Sequence, residues 1–292
     1  MTTAEDNWTI CQDCQGRGKK SRRLRKKVRL RFQRELDEFD KTLGDRPAPV
    51  RPKGHLYDCL NCAGSGLIHS ANLPLADKET YPHVAIIGGG IGGVALAVAC
   101  LHRSIPFTLY ERDSGFDVRS QGYGLTLQQA SKAIAGLGIL SLEQGVISTK
   151  HVVHTPDGKV IGEWGIRKWV EPAVTTPPKR TNVHVARQAL RLALLDQLGG
   201  HDAVQWGHQL VDFNQCAGEA VDLRFQVDGE LKSAKADLVV GADGIRSSVR
   251  ELLIGGDTPL RYLGCIVILG ICPLADLNGI EHSLLDSATV FQ

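Results

Sequence analysis

The sequence predicts an α/β fold in two parts: a small cysteine-based module over residues 1–73, and a larger domain over residues 83–292 built on a doubly wound sheet. A proline-containing linker over residues 74–82 joins them. Three observations carry this expectation. The first is VAIIGGGIGG at Val84–Gly93, followed by an acidic residue at Glu111. The second is ADLVVGADG at Ala236–Gly244. The third is a pair of Cys-x-x-Cys-x-Gly-x-Gly units, CQDCQGRG at Cys11–Gly18 and CLNCAGSG at Cys59–Gly66.

The cysteine units come first in the chain. Of the eight cysteines, Cys11, Cys14, Cys59 and Cys62 fall in the two repeats, while Cys100, Cys216, Cys265 and Cys272 are scattered. A thiolate knuckle needs a tight turn whose backbone N–H groups face the sulfurs, and glycine permits that turn. Two knuckles supply the four thiolates of a closed, tetrahedral structural zinc site. A disulfide framework is the rival reading, and the lack of a secretory n-region with an apolar h-region argues against it. The repeats resemble the cysteine-rich zinc repeats of the Hsp40 (DnaJ) co-chaperones. That family has four repeats and this chain has two, so the resemblance implies one zinc and a zinc-ribbon module; it does not transfer chaperone activity.

Between the knuckles, Leu24, Val28, Phe32, Leu36, Phe39 and Leu43 recur at intervals of three and four, which predicts one amphipathic helix over Lys20–Leu43. Its basic half precedes its acidic half, against the helix dipole. The basic run within Lys19–Arg34 offers a contact for nucleic acid or an anionic protein. The preferred reading is a solvated face on a helix packed by its apolar stripe.

In the larger domain, Val84–Ile87 reads as a buried strand, Gly88, Gly90 and Gly93 follow at dinucleotide-fingerprint spacing, and Val94–Cys100 continues as helix. Phe107–Tyr110 reads as a second strand ending at Glu111, 23 residues beyond Gly88. Gly88 permits the strand-to-helix turn, Gly90 lets backbone approach a pyrophosphate at the helix N-terminus, and Gly93 lets helix and sheet pack closely. Glu111 is placed to accept hydrogen bonds from a ribose. Beyond, Gln128–Leu137 reads as helix, and Pro156-Asp157-Gly158 marks a hairpin between His151–His154 and Lys159–Trp164. Val183–Gln197 is helical after its first residues, and Val204–Phe213, Val221–Val227 and Leu238–Val240 read as strands.

GGGIGG with LYER, HVARQALRLALLDQL at His184–Leu198, and GADGIRSSVR occur in that order. Together they resemble the flavoprotein aromatic hydroxylases, the FAD-dependent monooxygenases of the para-hydroxybenzoate hydroxylase type, from about His83 to Arg250. The resemblance implies a Rossmann-like FAD-binding domain with an inserted mixed β-sheet substrate domain. It implies tightly bound FAD, NAD(P)H arriving transiently, and transfer of one oxygen atom from a flavin C4a-hydroperoxide to a small, aromatic organic substrate. It assigns Gly88, Gly90 and Gly93 to the FAD pyrophosphate and Glu111 to the adenosine ribose. Arg119, Arg187 and Asp243 become further FAD contacts, with Arg246, Ser248 and Arg250 along the nicotinamide or pyrophosphate path. Arg191 is the runner-up to Arg187, with a solvent-facing position on the helix as the preferred reading. His184, His154 and Tyr123 are pocket residues by type only, and no catalytic residue is named. The family's later Gly-Asp-Ala motif is absent from the 49 residues after Asp243, so the expectation is an N-terminal part of a longer enzyme, or a truncated product. Arg261–Pro273 is expected to begin the sheet that roofs the substrate pocket.

Composition sets the remaining bounds. The chain has 292 residues, 42% hydrophobic and 23% charged, enough to bury a substantial core. A net charge of +2 excludes a globally nucleic-acid-binding surface, although residues 1–70 alone carry +6. No apolar run is long enough to span a bilayer, and the cytoplasm is the expected compartment. Two functions follow as expectations: an FAD-dependent monooxygenase with an accessory zinc module, or a zinc-ribbon protein- or nucleic-acid-binding module attached to a non-catalytic FAD-binding fold.

Overall fold

The computed structural model describes residues 7–42, 47–119, 124–127, 130–142, 145–147, 150–165, 183–215, 220–255, 261–264, 266, 273–279 and 289–291. It divides into two units, Met1–Leu73 and Pro74–Gln292. Tyr123 and most of Arg261–Pro273 lie outside the described residues.

In the first unit each cysteine knuckle is flanked by short strands. Strand β1 (Trp8–Ile10) pairs antiparallel with β4 (Leu67–His69), and β2 (Lys19–Ser21) pairs antiparallel with β3 (Leu56–Asp58). The knuckles are then tied across, with the Cys11 N–H donating to the Gly66 carbonyl at 2.8 Å and the Cys59 N–H to the Gly18 carbonyl at 2.9 Å. The helix between them, α1, runs over Lys26–Lys41 rather than from Lys20. The reason is competition: Lys19–Ser21 is held in the strand pair that closes the knuckles, and the residues joining that strand to the helix cannot also be helical. None of the α1 residues is buried, so the apolar stripe is not packed as expected.

The second unit is built around a four-stranded parallel sheet in the order β12 (Val204–Gln205), β6 (Phe107–Tyr110), β5 (Val84–Ile87), β16 (Leu238–Gly241). The order is that of a doubly wound half-sheet, reversing direction of build beside β5. All four β5 residues are buried because both faces of the sheet are covered. Strand alternation sends Val84 and Ile86 to one side, where they pack with α2 (Ile91–His102) and α4 (Arg187–Asp196) through Val94, Val98, Leu190 and Leu194. Ala85 and Ile87 face the other side, against Leu223 and Phe225. Those two belong to an antiparallel meander of β13 (Gln209–Gln215), β14 (Val221–Val227) and β15 (Glu230–Ala236).

The turn between β14 and β15 has both Asp228 and Gly229 at positive φ, which suits a two-residue hairpin. Strand β15, ELKSAKA, has no apolar alternation and forms through pairing with β14 along its whole length. The single strand expected over Val204–Phe213 is two, broken at Trp206 and Gly207, where Gly207 has φ +71°. Two smaller sheets complete the unit. Strand β11 (Val183–Ala186) lies between β7 (Gly124–Thr126) and β8 (Val146–Ile147), and β9 (Lys150–His154) lies between β10 (Val160–Gly165) and β17 (Thr289–Phe291). Helices α3 (Ala130–Ala135) and α5 (Ser248–Ile254) are short. These strands form separate sheets beside the parallel one, a mixed α/β architecture. Among the described residues, no helix is long and apolar enough to cross a membrane.

His102, at the end of α2, is 2% exposed and its Nδ1 has no hydrogen-bond partner among the described residues. Burial, aided by the neighbouring Arg103 charge, lowers its pKa from 6.5 to about 4. The unfolded chain therefore takes up this proton first as pH falls. The stability held by neutral His102 is intact above its unfolded value of 6.5 and is lost as pH drops toward about 4. The loss should be on the order of 2 kcal/mol once residual solvent screening is allowed for. Thermal unfolding of a His102→Leu variant between pH 7 and 4 should show a shallower pH dependence than the parent chain. An identical slope would remove His102 as its source.

Candidate functional site

A cleft opens at the carboxyl ends of β5, β6 and β16, where a doubly wound sheet places its ligands. Its floor is the turn from β5 into α2. Gly88 sits at φ +110°, and a Cβ there would meet the Ala242 carbonyl at 2.5 Å, so only glycine lets this turn lie against the end of β16. A Cβ on Gly93 would meet the Gly88 carbonyl oxygen at 1.9 Å, which sets how closely α2 approaches the turn. Gly90 differs. It is the N-cap of α2, has ordinary backbone angles, and a Cβ there would meet nothing within 4 Å. Since Gly90 lines the cleft, that open space is a cradle beside the helix N-terminus.

Gly89, between them, is gripped at both ends. Its N–H donates to Glu111 Oε2 at 2.7 Å, and its carbonyl accepts from Arg191 Nε at 2.7 Å. Glu111 is 9% exposed, and its other oxygen accepts from the Asp113 N–H at 3.0 Å. Its carboxylate thus stands at the cleft edge, with one hydrogen bond to each oxygen and lone pairs left for a hydroxyl donor. Arg191 is 7% exposed, with its guanidinium over the Phe116 ring at 5.1 Å and the Trp206 ring at 5.4 Å. The solvent-facing reading of Arg191 is therefore corrected. It sits three and four residues before Leu194 and Leu195 on the buried stripe of α4, the signal that could have placed it.

Arg187 opens α4 and lines the cleft, as do Gln188, Arg246 and Ser248. Asp243 also lines the cleft and organises the next helix. Its Oδ1 accepts from Ser247 Oγ at 2.6 Å and its Oδ2 from the Val249 N–H at 3.2 Å, while Ser247 Oγ caps α5 by accepting from the Arg250 N–H. His208, unremarked in the sequence, lines the opposite wall next to Tyr110, whose phenol burial pushes above its ordinary range. Arg119 lies in a turn of 3₁₀ helix, Phe116–Arg119, and its side chain is not among the described residues. Arg250 turns away and donates to the Ile245 carbonyl. His184 bonds Thr126, and His154 is buried in β9; neither lines the cleft.

In the first unit the Sγ atoms of Cys11, Cys14, Cys59 and Cys62 lie within 4.8 Å of one another, all four buried. Sulfur pairs at 3.9 Å (Cys11–Cys59) and 3.7 Å (Cys14–Cys62) are far beyond disulfide length and match the ~3.8 Å edge of a tetrahedron with ~2.3 Å zinc–sulfur bonds. The Gly18 and Gly66 N–H groups each donate to a sulfur, of Cys14 and Cys62, at 3.2 Å, and Asn61 Nδ2 donates to Cys11 Sγ at 3.3 Å. Burial pushes the Cys59 thiol up to about 12 and raises Cys14. A divalent cation is what would let such thiols ionise together. The donor set fits zinc.

Residues 81–255 match the family described as the FAD binding domain. A probable FAD-dependent monooxygenase of Arthroderma benhamiae is 34% identical over 201 residues, covering 64% of this chain and 43% of that protein. Chloroplastic zeaxanthin epoxidase of Nicotiana plumbaginifolia is 31% identical over 229 residues, covering 73% of this chain and 33% of that protein. The structure of 2,6-dihydroxypyridine-3-hydroxylase from Arthrobacter nicotinovorans aligns with a TM-score of 0.49 at 23% identity, over 61% of this chain and 41% of that one. The chain thus spans less than half the length of these relatives. The family match takes in the whole cleft, from the strand before the glycine turn to the helix capped by Ser247, and so covers more than half the sequence: the chain belongs to the FAD-binding-domain family.

Proposed function

We propose that the second unit is the FAD-holding part of an NAD(P)H-dependent monooxygenase acting on a small aromatic substrate. The observation that carries this reading is the glycine-floored cleft at the switch point of the parallel sheet, with the α2 N-terminus, the Glu111 carboxylate and two arginines converging on it. Bound FAD would supply the redox chemistry: two electrons from NAD(P)H reduce O2, one oxygen atom entering the substrate and the other leaving as water.

The chain's own groups do the holding. Gly88, Gly90 and Gly93 let the pyrophosphate rest on backbone N–H groups at the positive end of α2. Glu111 takes the adenosine ribose hydroxyls. Arg187 and Arg246 offset phosphate charge from the cleft wall, and Asp243 keeps the start of α5 in place while presenting its carboxylate to the cofactor. Arg119 is retained as a further FAD contact from the loop after β6. Arg191 is a positioning residue, which holds the Gly89 peptide so that its neighbours present their N–H groups to the phosphate. In the first unit Cys11, Cys14, Cys59 and Cys62 hold one structural zinc in a DnaJ-like pair of knuckles. Residues 1–73 then form an accessory module and residues 74–82 its linker to the flavin domain.

Because Gly90 faces open space, Gly90→Val should fold as the parent does, with an unchanged melting temperature without cofactor, yet bind FAD at least ~100-fold more weakly by fluorescence titration. Parent-like FAD affinity in that variant would overturn the assignment of the pyrophosphate. Arg191→Met should both weaken FAD binding and cost about 1–3 kcal/mol in denaturant unfolding, since it leaves the Gly89 carbonyl unpaired. Metal analysis should return one zinc per chain, and Cys59→Ser should release it and abolish the folded signal of the first unit; a metal-free parent with a folded first unit would refute the site. For the reaction itself, the FAD-loaded chain should consume NAD(P)H and O2 in equal amounts when offered a hydroxylatable aromatic compound. Flavin-loaded protein that shows no substrate-dependent NAD(P)H oxidation across a panel of such compounds would leave cofactor binding as its activity.

A further inference from the structure

We infer that His208 selects the base of the bound dinucleotide: its Nε2 accepts a hydrogen bond from the exocyclic amino group of adenine and disfavours bases with a carbonyl there. This role rests on the cleft holding FAD as proposed above. The position follows from the groups already placed. A nucleotide's ribose carries phosphate on one side and the base on the other. With the pyrophosphate at the α2 N-terminus and the ribose on Glu111, the base is sent past Glu111, away from α2. The cleft wall on that side is made by residues 110–113 and 208–210.

Those two segments are laced together by their backbones. The Glu111 N–H donates to the Gln205 carbonyl at 3.0 Å, the His208 N–H to the Glu111 carbonyl at 2.8 Å, and the Gly207 N–H to the Asp113 carbonyl at 2.9 Å. His208 is therefore a direct neighbour of the residue assigned to the ribose. Its half-buried ring is held in place, with centroids 5.5 Å from the Tyr110 ring and 5.6 Å from the Phe225 ring. The Nδ1 atom lies 2.8 Å from the Trp206 carbonyl oxygen. A carbonyl oxygen can only accept, so Nδ1 carries the proton and, in the neutral imidazole, Nε2 carries a lone pair. No described residue donates to Nε2.

A ring nitrogen fixed as an acceptor on the wall of a cleft discriminates between bases by their exocyclic group. Adenine offers an amino donor. Hypoxanthine and guanine offer a carbonyl at the same ring position, and its lone pairs would face that of Nε2. A site built to take a hydrogen bond rejects the analogue that cannot give it, because polar groups are then left unpaired out of water. A ring that served only to cover Tyr110 and Phe225 would have no such preference, and phenylalanine could replace it.

The test is a flavin-fluorescence titration of the full chain at about pH 8, where an ordinary imidazole is neutral. Two ligands are compared: FAD, and its hypoxanthine analogue, which carries a carbonyl in place of the adenine amino group. The parent should bind FAD at least about tenfold more tightly than the analogue. His208→Phe keeps an aromatic ring against Tyr110 and Phe225 and removes both nitrogens. It should bind FAD about tenfold more weakly than the parent and hold the two flavins with equal affinity. Should that variant fail to fold, His208→Leu removes the same nitrogens from a smaller side chain and is read the same way. A parent that binds the two flavins alike would overturn the proposal. So would a variant that keeps the parent's preference, which would hand the amino group to another acceptor on the wall. A parent that binds neither flavin would overturn the flavin reading itself, and this role of His208 with it.

Discussion

Backbone-to-backbone contact between two turns far apart in the chain is the constraint on which the cleft depends. The space a side chain would need at Gly88 is filled by the Ala242 carbonyl, and the space it would need at Gly93 is filled by the Gly88 carbonyl. Three strands' ends are thereby drawn to one point. The parallel pairing of β5 with both β6 and β16 sets the distance, and the absence of side chains lets the turns close it. Once closed, the α2 N-terminus, the end of β6 with Glu111, and the Asp243 turn share one wall-to-wall cleft.

A charge pair then holds the turn still. Glu111 takes the Gly89 N–H and Arg191 takes its carbonyl, so an anion and a cation grip one residue from opposite ends without touching each other's role. Both are nearly buried, and such charge-assisted bonds are strong in a low-dielectric setting. The stacking of Arg191 between Phe116 and Trp206 fixes its rotamer and ties the loop after β6 and the segment after β12 to the same peptide. A helix N-terminus binds an anion well only if its N–H groups are pre-aimed, and this clamp does the aiming.

The first unit uses the same physics at smaller scale. A Cβ on Gly18 would meet the Gly64 carbonyl at 2.2 Å, and one on Gly66 would meet the Gly16 carbonyl at 2.6 Å, so the knuckles interlock through glycines. The reciprocal Cys11–Gly66 and Cys59–Gly18 hydrogen bonds make the pair nearly symmetric, in keeping with two copies of one motif in the sequence. A core of four cysteines and little else is too small to hold such a unit by burial alone.

The sequence by itself determined what depends on local spacing. Glycines at fixed intervals after an apolar strand, an acid at the end of the next strand, and cysteines three apart in repeated glycine turns each specify a short-range geometry, and all were legible. The hairpin at Pro156-Asp157-Gly158 was legible for the same reason. Tertiary structure alone decided the rest. Strand β15 has no apolar alternation and exists because β14 offers it a full ladder. The helix expected from Lys20 starts at Lys26 because Lys19–Ser21 is claimed by pairing with a strand some 35 residues away. Arg191 looked like a surface residue because arginine usually is one, and its burial depends on a carbonyl and two rings supplied by distant segments. His208 reaches the cleft for a similar reason, since its ring packs against Tyr110 and Phe225, supplied by distant strands. Spacing along a chain encodes turns and periodicity; which side chain meets which carbonyl across the sheet is settled only when the layers pack.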